Sequence, residues 1–273
     1  SIPKVLHSLA GWPMLFHLLD SVSEINPSKI VLVIGPDMVS ISDTAKKNGY
    51  EIETVIQKER LGTGHALQQT EEILKGFEGN VLVLYGDSPL ITSGTMLAVL
   101  SALSDKSNPV AVVLGFSPEN SEGYGRLVVD DSGNLDQIVE YKDASDQNLK
   151  SNLCNSGVVA IDGRVMFHFL SLLSNKNASS EFYLTDIVKI SNDHERKCLF
   201  VEGDEEELVG INSRNDLALA ETIVQDRLRD LVMKNGTTLI DPSTVYFSYD
   251  TEVGTDVVIG PNVFFGPGVT VCD

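Results

Sequence analysis

Two hydrophobic rhythms alternate along most of this chain. KIVLVI (29–34), NVLVLY (80–85) and PVAVVLG (109–115) are continuous apolar runs, the first closed by Gly35-Pro36 and the second by Gly86-Asp87. Short runs of this kind, continuous rather than alternating, mark strands buried on both faces. Between them, residues 14–22, 64–74 and 93–103 show helical spacing. Strands alternating with helices predict βαβ units and a mostly parallel sheet. The texture changes over residues 125–160, where short strands flank Asp131-Ser132-Gly133-Asn134 and predict a hairpin-rich insertion. Helices are predicted over 164–173 and 184–191. A longer one spans 215–235, where Leu217, Ala220, Val224, Leu228 and Leu231 recur at helical spacing and Gly236 is placed as a C-cap. This last helix reads as a connector between domains.

The end of the chain has a third rhythm. Val253, Ile259, Phe265 and Val271 recur every six residues, and Gly254, Gly260 and Gly266 follow the first three. An apolar residue before glycine at that period predicts a parallel β-helix. The rival reading is a hairpin with Gly/Pro turns, and four in-phase positions favour the coil. About 36 residues allow only about two coils, where solenoids need three or more repeats.

Composition narrows the function classes. A length of 273 residues fits one large α/β domain with an appendage. Thirty-nine acidic against 20 basic residues give a net charge of −19, which argues against nucleic acid or an anionic membrane as partner. An anionic small molecule would need backbone N–H groups, a lysine or a metal ion. No apolar run is long enough for a membrane span, and no basic segment leads into an apolar one as in a signal peptide. Cys154, Cys198 and Cys272 are far apart and make neither a disulfide framework nor a zinc pattern, so a reducing cytoplasm is the expected compartment.

Five stretches carry candidate chemistry. In VIQKERLGTGHALQQ (55–69), glycines between strand and helix let something approach the backbone, and the helix start favours anions. Gln57 there offers a donor and an acceptor, suited to a base edge, although a plain tight turn explains the glycines alone. Asp87 follows a buried apolar strand, where open α/β sheets place ligands, and a carboxylate there suits Mg²⁺ beside phosphates; a turn aspartate is as good a reading. Gly125, Glu140 and Asn155 lie on neighbouring short strands, where carboxylate and amide could bond sugar hydroxyls or simply face water. Tyr183, Thr185 and Asp186 stand at a loop-to-helix junction, and Asn212 precedes the connector helix; Thr185, Asp186 and Asn212 are also cap candidates. The five histidines show no metal-ligand spacing and read as structural or surface residues.

The order of these stretches says more than any one of them. PKVLH, LGTGHA, LYGDSPLI, GYGR, IVEYKDA, CNSGV, FYLTDI and VGIN occur in sequence and are followed by the six-residue repeats. Over essentially the whole chain this resembles the bacterial bifunctional N-acetylglucosamine-1-phosphate uridylyltransferase/glucosamine-1-phosphate acetyltransferase family. The resemblance implies an α/β fold: a Rossmann-like nucleotidyltransferase domain with a mixed sheet over 1–214, a helical linker over 215–236, and the start of a left-handed parallel β-helix over 237–273. It implies that UTP and N-acetylglucosamine 1-phosphate react to UDP-N-acetylglucosamine and pyrophosphate for cell-wall precursor synthesis, with Mg²⁺ as cofactor and a homotrimer as the family's assembly. By position, Gln57 and the Gly62 backbone would read uracil, with Thr63 beside them. Asp87 and Asn212 would hold Mg²⁺, and Lys4 would contact phosphate. Gly125, Glu140, Asn155 and Thr185 would hold the amino sugar, with Tyr85 and Tyr183 lining that pocket.

The chain departs from the family pattern at both ends. The family opens with a first strand and a glycine-rich phosphate loop, and this sequence starts just past that loop. The expected consequences are a gap between neighbouring strands, exposed edge groups and a reduced phosphate cradle. The tail stops before the coils that carry acetyl-CoA chemistry, so acetyl transfer is not expected. The alternatives are a catalytically impaired sugar-nucleotide-binding module and a nucleotidyltransferase for another sugar 1-phosphate.

Overall fold

The computed structural model describes residues 2–273. The chain folds as two compact units that do not follow chain order. One gathers the residues up to Asp20, Gly86–Leu90 and Val209–Asp273; the other holds Ser21–Tyr85 and Ile91–Leu208.

The second unit is built on a six-stranded sheet. Cys198–Glu202, Ala111–Phe116, Cys154–Asp162, Arg126–Val129 and Leu135–Val139 lie side by side in that order, and Asn80–Val83 also pairs with Cys154–Asp162. The sheet is mixed, which corrects the mostly parallel expectation. Cys198–Glu202 runs parallel to Ala111–Phe116, but Cys154–Asp162 runs antiparallel to Asn80–Val83, to Ala111–Phe116 and to Arg126–Val129. The cause is the insertion: its hairpin, Arg126–Val129 with Leu135–Val139, returns the chain through nine residues long enough to pair with several neighbours. Every residue of Ala111–Phe116 is buried, with the helix Ser93–Ala102 packed on it. Val31–Ile34 pairs in parallel with Glu53–Ile56 and forms a separate two-stranded sheet.

Helix boundaries moved where local bonds compete with the backbone. The helix expected over 64–74 is Thr63–Gln68, and turns follow it. The Thr70 hydroxyl donates to the Leu67 carbonyl at 2.7 Å, an alternative to helical pairing at that point.

In the first unit the helix Arg214–Lys234 starts at a capping box. Ser213 Oγ accepts from Asp216 N, and the Asp216 carboxylate accepts from Ser213 N. Gly236, at φ +98°, lies just past its C-cap Asn235, as its left-handed conformation requires. Ala220 and Val224 join a core with Leu9, Ala10, Met14, Leu90 and Ile211. Leu231, in phase by sequence, is 55% exposed. Beyond the helix, Thr238–Leu239 pairs in parallel with Val258–Ile259, and Glu252–Val253 with Thr270–Val271. Tyr246 forms a parallel bridge to Phe264, and the Phe247 and Phe265 rings stack at 5.1 Å. Ile259, from the six-residue repeat, is buried with Val232, Leu239, Val245 and Phe247.

Candidate active site

Lys4, Asp87 and Asn212 meet although they are far apart in sequence. Lys4 opens the short 3-10 turn Lys4–Leu6, and its Nζ donates to Asp87 Oδ2 at 2.5 Å and to Asn212 Oδ1 at 3.0 Å. The Ile211 N–H donates to the Asp87 carbonyl at 2.9 Å, which ties the two loops together. Asn212 is not the helix cap; Ser213 is. The Asp216 carboxylate instead accepts from Asn212 N at 2.8 Å, so the capping box also fixes the residue before it. Burial would raise the Asp216 carboxyl, but the N–H groups of Asn212 and Ser213, the Ser213 hydroxyl and the Lys4 charge together hold it below the usual carboxylate range. One carboxylate and one amide oxygen thus converge on a single ammonium, which stands where a cation would. An all-oxygen donor pair fits a hard ion such as Mg²⁺, which takes few protein ligands and keeps its waters.

The glycine loop is built for a close approach, and the neighbour is another stretch of backbone. Gly62 sits at φ +105°, and a Cβ there would lie 2.6 Å from the Phe182 carbonyl oxygen. The Phe182 N–H donates to Leu61 O at 2.7 Å, Gly64 N–H donates to Phe182 O at 2.8 Å, and Leu184 N–H donates to Thr63 Oγ1 at 3.0 Å. The side-chain-poor loop therefore docks residues 181–184, which lead into the helix Asp186–Asp193. Gln57, at the end of Glu53–Ile56, donates from Nε2 to Gly62 O at 3.1 Å.

A third constellation surrounds a small cavity lined by Tyr85, Asn155, Gly157, Leu184 and Thr185, with aliphatic side chains from the sheet. Gly125 allows the approach of Glu140: a Cβ at Gly125 would sit 3.3 Å from Glu140 Oε2. The Asn155 N–H donates to Gly125 O at 2.9 Å, and Asn155 Oδ1 accepts from Gly157 N at 3.0 Å. Arg126, almost completely buried, donates to Ser151 O, Tyr124 O and Ser121 Oγ, which holds the segment before Gly125 in place. The Thr185 hydroxyl is not a cap; it donates to Glu140 Oε1 at 2.8 Å. Burial raises the Glu140 carboxyl; the Thr185 bond opposes that, while Asp143 and Glu181 add to it. Tyr183 is not among the cavity's lining residues. Its phenol is raised by burial, against a hydrogen bond with Ser179.

Sequence reasoning missed Gly157 here, and it gave Asp186 only as a junction or cap candidate and His65 only as a structural or surface residue. Gly157, at φ +90°, lets the Tyr85 ring pack where a Cβ would meet it at 2.6 Å. Asp186 is pushed up to about 6 by burial, then by Glu140 and Asp143. His65 contacts Gln57. Gly157 had a signal in Asn-Ser-Gly following a strand start; the burial of Asp186 beside Glu140 and Asp143 and the contact of His65 with Gln57 had none, because they depend on tertiary neighbours.

The fold is that of an α/β protein with a mixed sheet, and the chain belongs to the nucleotidyl transferase family, whose model matches residues 1–206. Among individual proteins it is similar to the bifunctional protein GlmU of Paramagnetospirillum magneticum, 52% identical over the whole chain and 60% of that protein. It is likewise similar to the bifunctional protein GlmU of Rhodospirillum rubrum, 50% identical over 94% of this chain and 56% of that one. The chain thus spans about six-tenths of the length of the curated relatives it matches. The fold is shared with 4-diphosphocytidyl-2C-methyl-D-erythritol synthase from Anaerococcus prevotii, at a TM-score of 0.58 and 21% identity, covering 80% of this chain and 88% of that one.

Proposed function

We propose that this chain carries the uridylyltransferase chemistry: UTP and N-acetylglucosamine 1-phosphate give UDP-N-acetylglucosamine and pyrophosphate. The observation that carries the reading is the convergence of Asp87 and Asn212 on one cation position, filled by the Lys4 ammonium. A phosphate oxygen of the sugar phosphate attacks the α-phosphorus in line, the new P–O bond forms, and the bond to pyrophosphate breaks. No covalent intermediate is needed, so the protein's task is alignment and charge neutralisation. Asp87 and Asn212 would hold Mg²⁺, which when bound neutralises charge between two mutually repelling anions. Lys4 contacts phosphate, Gln57 and the Gly62 backbone contact the base with Thr63 beside them, and Gly125, Glu140, Asn155 and Thr185 contact sugar hydroxyls. Tyr85 provides the aromatic wall, and Tyr183 stands on the loop next to the lining residue Leu184.

The finer architecture belongs to the same proposal. Residues 1–214 are the transferase domain, 215–236 the helical linker, and 237–273 the start of a left-handed β-helix through which copies trimerise. The parallel pairs of Tyr246 with Phe264 and of Glu252 with Thr270, each partner eighteen residues on, support a coil of about that length. No helix among the described residues is long and apolar enough to cross a membrane, and the proposed compartment is the cytoplasm. The test is pyrophosphate release from UTP and N-acetylglucosamine 1-phosphate with Mg²⁺, alongside binding of UDP-N-acetylglucosamine. Binding that is independent of Mg²⁺ and unchanged in Asp87→Ala refutes the cation assignment.

A further inference from the structure

Lys4, Asp87 and Asn212 lie in the same compact unit as the helix Arg214–Lys234, and that helix touches all three segments that carry them. Each segment packs an apolar side chain on the helix and takes a polar partner from it. Leu9 and Ala10 follow Lys4, Leu90 follows Asp87, and Ile211 precedes Asn212; all four are buried in one core with Ala220 and Val224 of the helix. The polar partners are Glu221 for the Lys4 segment, Arg227 for the Asp87 loop and Asp216 for Asn212.

The Asp87 loop is held at two carbonyls. Ile211 N–H donates to Asp87 O at 2.9 Å, and Arg227 Nη1 donates to Leu90 O at 2.8 Å. The Lys4 segment is held at a strained point. Ala10, at φ +46°, turns the chain between Ser8–Leu9 and Trp12–Pro13 in a left-handed conformation that is costly for a residue with a side chain. Its N–H donates to Glu221 Oε2 at 2.8 Å, and its carbonyl accepts from Tyr249 N at 2.8 Å. Glu221 is held in turn by Gln225, which donates to Oε1 at 2.9 Å and is fixed by the N–H and carbonyl of Phe247. Back from this turn, Met14 N–H donates to His7 O and His7 N–H to Lys4 O, so the hold reaches the lysine through backbone bonds.

We infer that this helix braces the cation site: Arg227 is a positioning residue for Asp87 and Glu221 one for Lys4, beside Asp216 behind Asn212. The inference rests on the reading of Asp87 and Asn212 as the Mg²⁺ donors and of Lys4 as a phosphate contact. Groups behind a ligand matter because they order it before the ion or substrate arrives. The two side chains serve different partners, so their losses separate: Arg227 acts on the metal and Glu221 on the phosphates.

The test is calorimetry on the full chain, with Mg²⁺ alone as one titrant and UTP in saturating Mg²⁺ as the other. Arg227→Met is expected to weaken Mg²⁺ binding about fivefold, the worth of one hydrogen bond. Arg227→Lys, which keeps a charged donor, is expected to stay within about twofold of the parent. Glu221→Ala is expected to weaken UTP binding about fivefold and to leave Mg²⁺ binding within about twofold. Arg229→Met is the control: that guanidinium sits on the same helix but bonds the Pro242 and Val245 carbonyls, so its loss lowers the thermal midpoint and moves neither affinity. A merely structural role would move both titrations together in all these variants, and that result overturns the inference. Unchanged Mg²⁺ binding in Arg227→Met beside weakened binding in Asp87→Ala also overturns it and leaves the cation reading standing. If Asp87→Ala itself leaves Mg²⁺ binding unchanged, the cation reading falls and the inference with it. Should Arg227→Met lose its circular dichroism signature, Glu221→Ala decides: unchanged UTP binding there, where Lys4→Met weakens it, overturns the inference.

Discussion

The cation trio and the glutamine–glycine loop are held by opposite means. Lys4, Asp87 and Asn212 meet through charge, on three loops, with Lys4 and Asp87 side chains 44% and 26% exposed. Gln57, Gly62, Thr63 and His65 are held by neutral hydrogen bonds and by glycine backbone, mostly within a dozen residues of chain and the segment docked on it. Exposed ion pairs contribute little to stability, about 0–1 kcal/mol, and are weakened by salt. Buried or half-buried neutral bonds contribute little net when made but cost more when one partner is stranded. The trio is therefore expected to matter for chemistry more than for folding, and the loop for both.

The largest effect that would sharpen this contrast is at Asp87. Asp87→Ala is expected to reduce kcat/KM for uridylyl transfer by about a hundredfold or more, the scale of losing a preorganised charge-stabilising group, with the thermal midpoint nearly unchanged. A large fall in thermal midpoint would break the comparison by making Asp87 a structural residue. Gly62→Ala is the converse. Its backbone at φ +105° and the Phe182 carbonyl 2.6 Å from a new Cβ make it costly to the fold, by roughly 2 kcal/mol in urea unfolding, and residues 181–184 should become protease-sensitive. Ser213→Ala links cap to cation site. It should cost about 1 kcal/mol of stability and also weaken Mg²⁺ affinity, because the Asp216 backbone N–H loses Ser213 Oγ and the turn that aims the Asp216 carboxylate at Asn212 N–H loosens. An Mg²⁺ titration that does not move would separate cap from site.

The smallest effect is in pH dependence. Asp186, pushed up by burial to about 6 in the folded chain from an ordinary aspartate value of 3.8, binds a proton more tightly folded than unfolded. Stability from this group is present below about pH 4 and is lost as pH rises toward about 6. Asp186→Asn should therefore flatten that part of the thermal-midpoint curve and raise the midpoint near pH 7. Glu140 is raised in the same direction, so part of the slope should persist.

Strands show how much of the fold was legible. KIVLVI and PVAVVLG have the same apolar texture, yet Ala111–Phe116 is buried at every position while three of the four residues of Val31–Ile34 are half-buried. The difference lies in neighbours: the first has ladders on both edges, to Cys198–Glu202 and Cys154–Asp162, and the second has one, to Glu53–Ile56. Periodicity reports that a segment extends and is apolar; it does not report what pairs with it. The antiparallel run of Cys154–Asp162 was hidden for the same reason.

The sequence by itself determined the strand and helix segments, the six-residue rhythm of the tail and the identity of most candidate contact residues, because side-chain period and residue chemistry are local properties. Only the tertiary structure decided that Lys4, Asp87 and Asn212 share one point, although 83 and 208 residues separate the lysine from its partners. It also decided that Gly62 is small because the Phe182 backbone lies against it, and that the His65 ring lies against the Gln57 side chain. Each of these depends on two chain segments meeting in space, and that meeting is set by the packing of the whole unit around them.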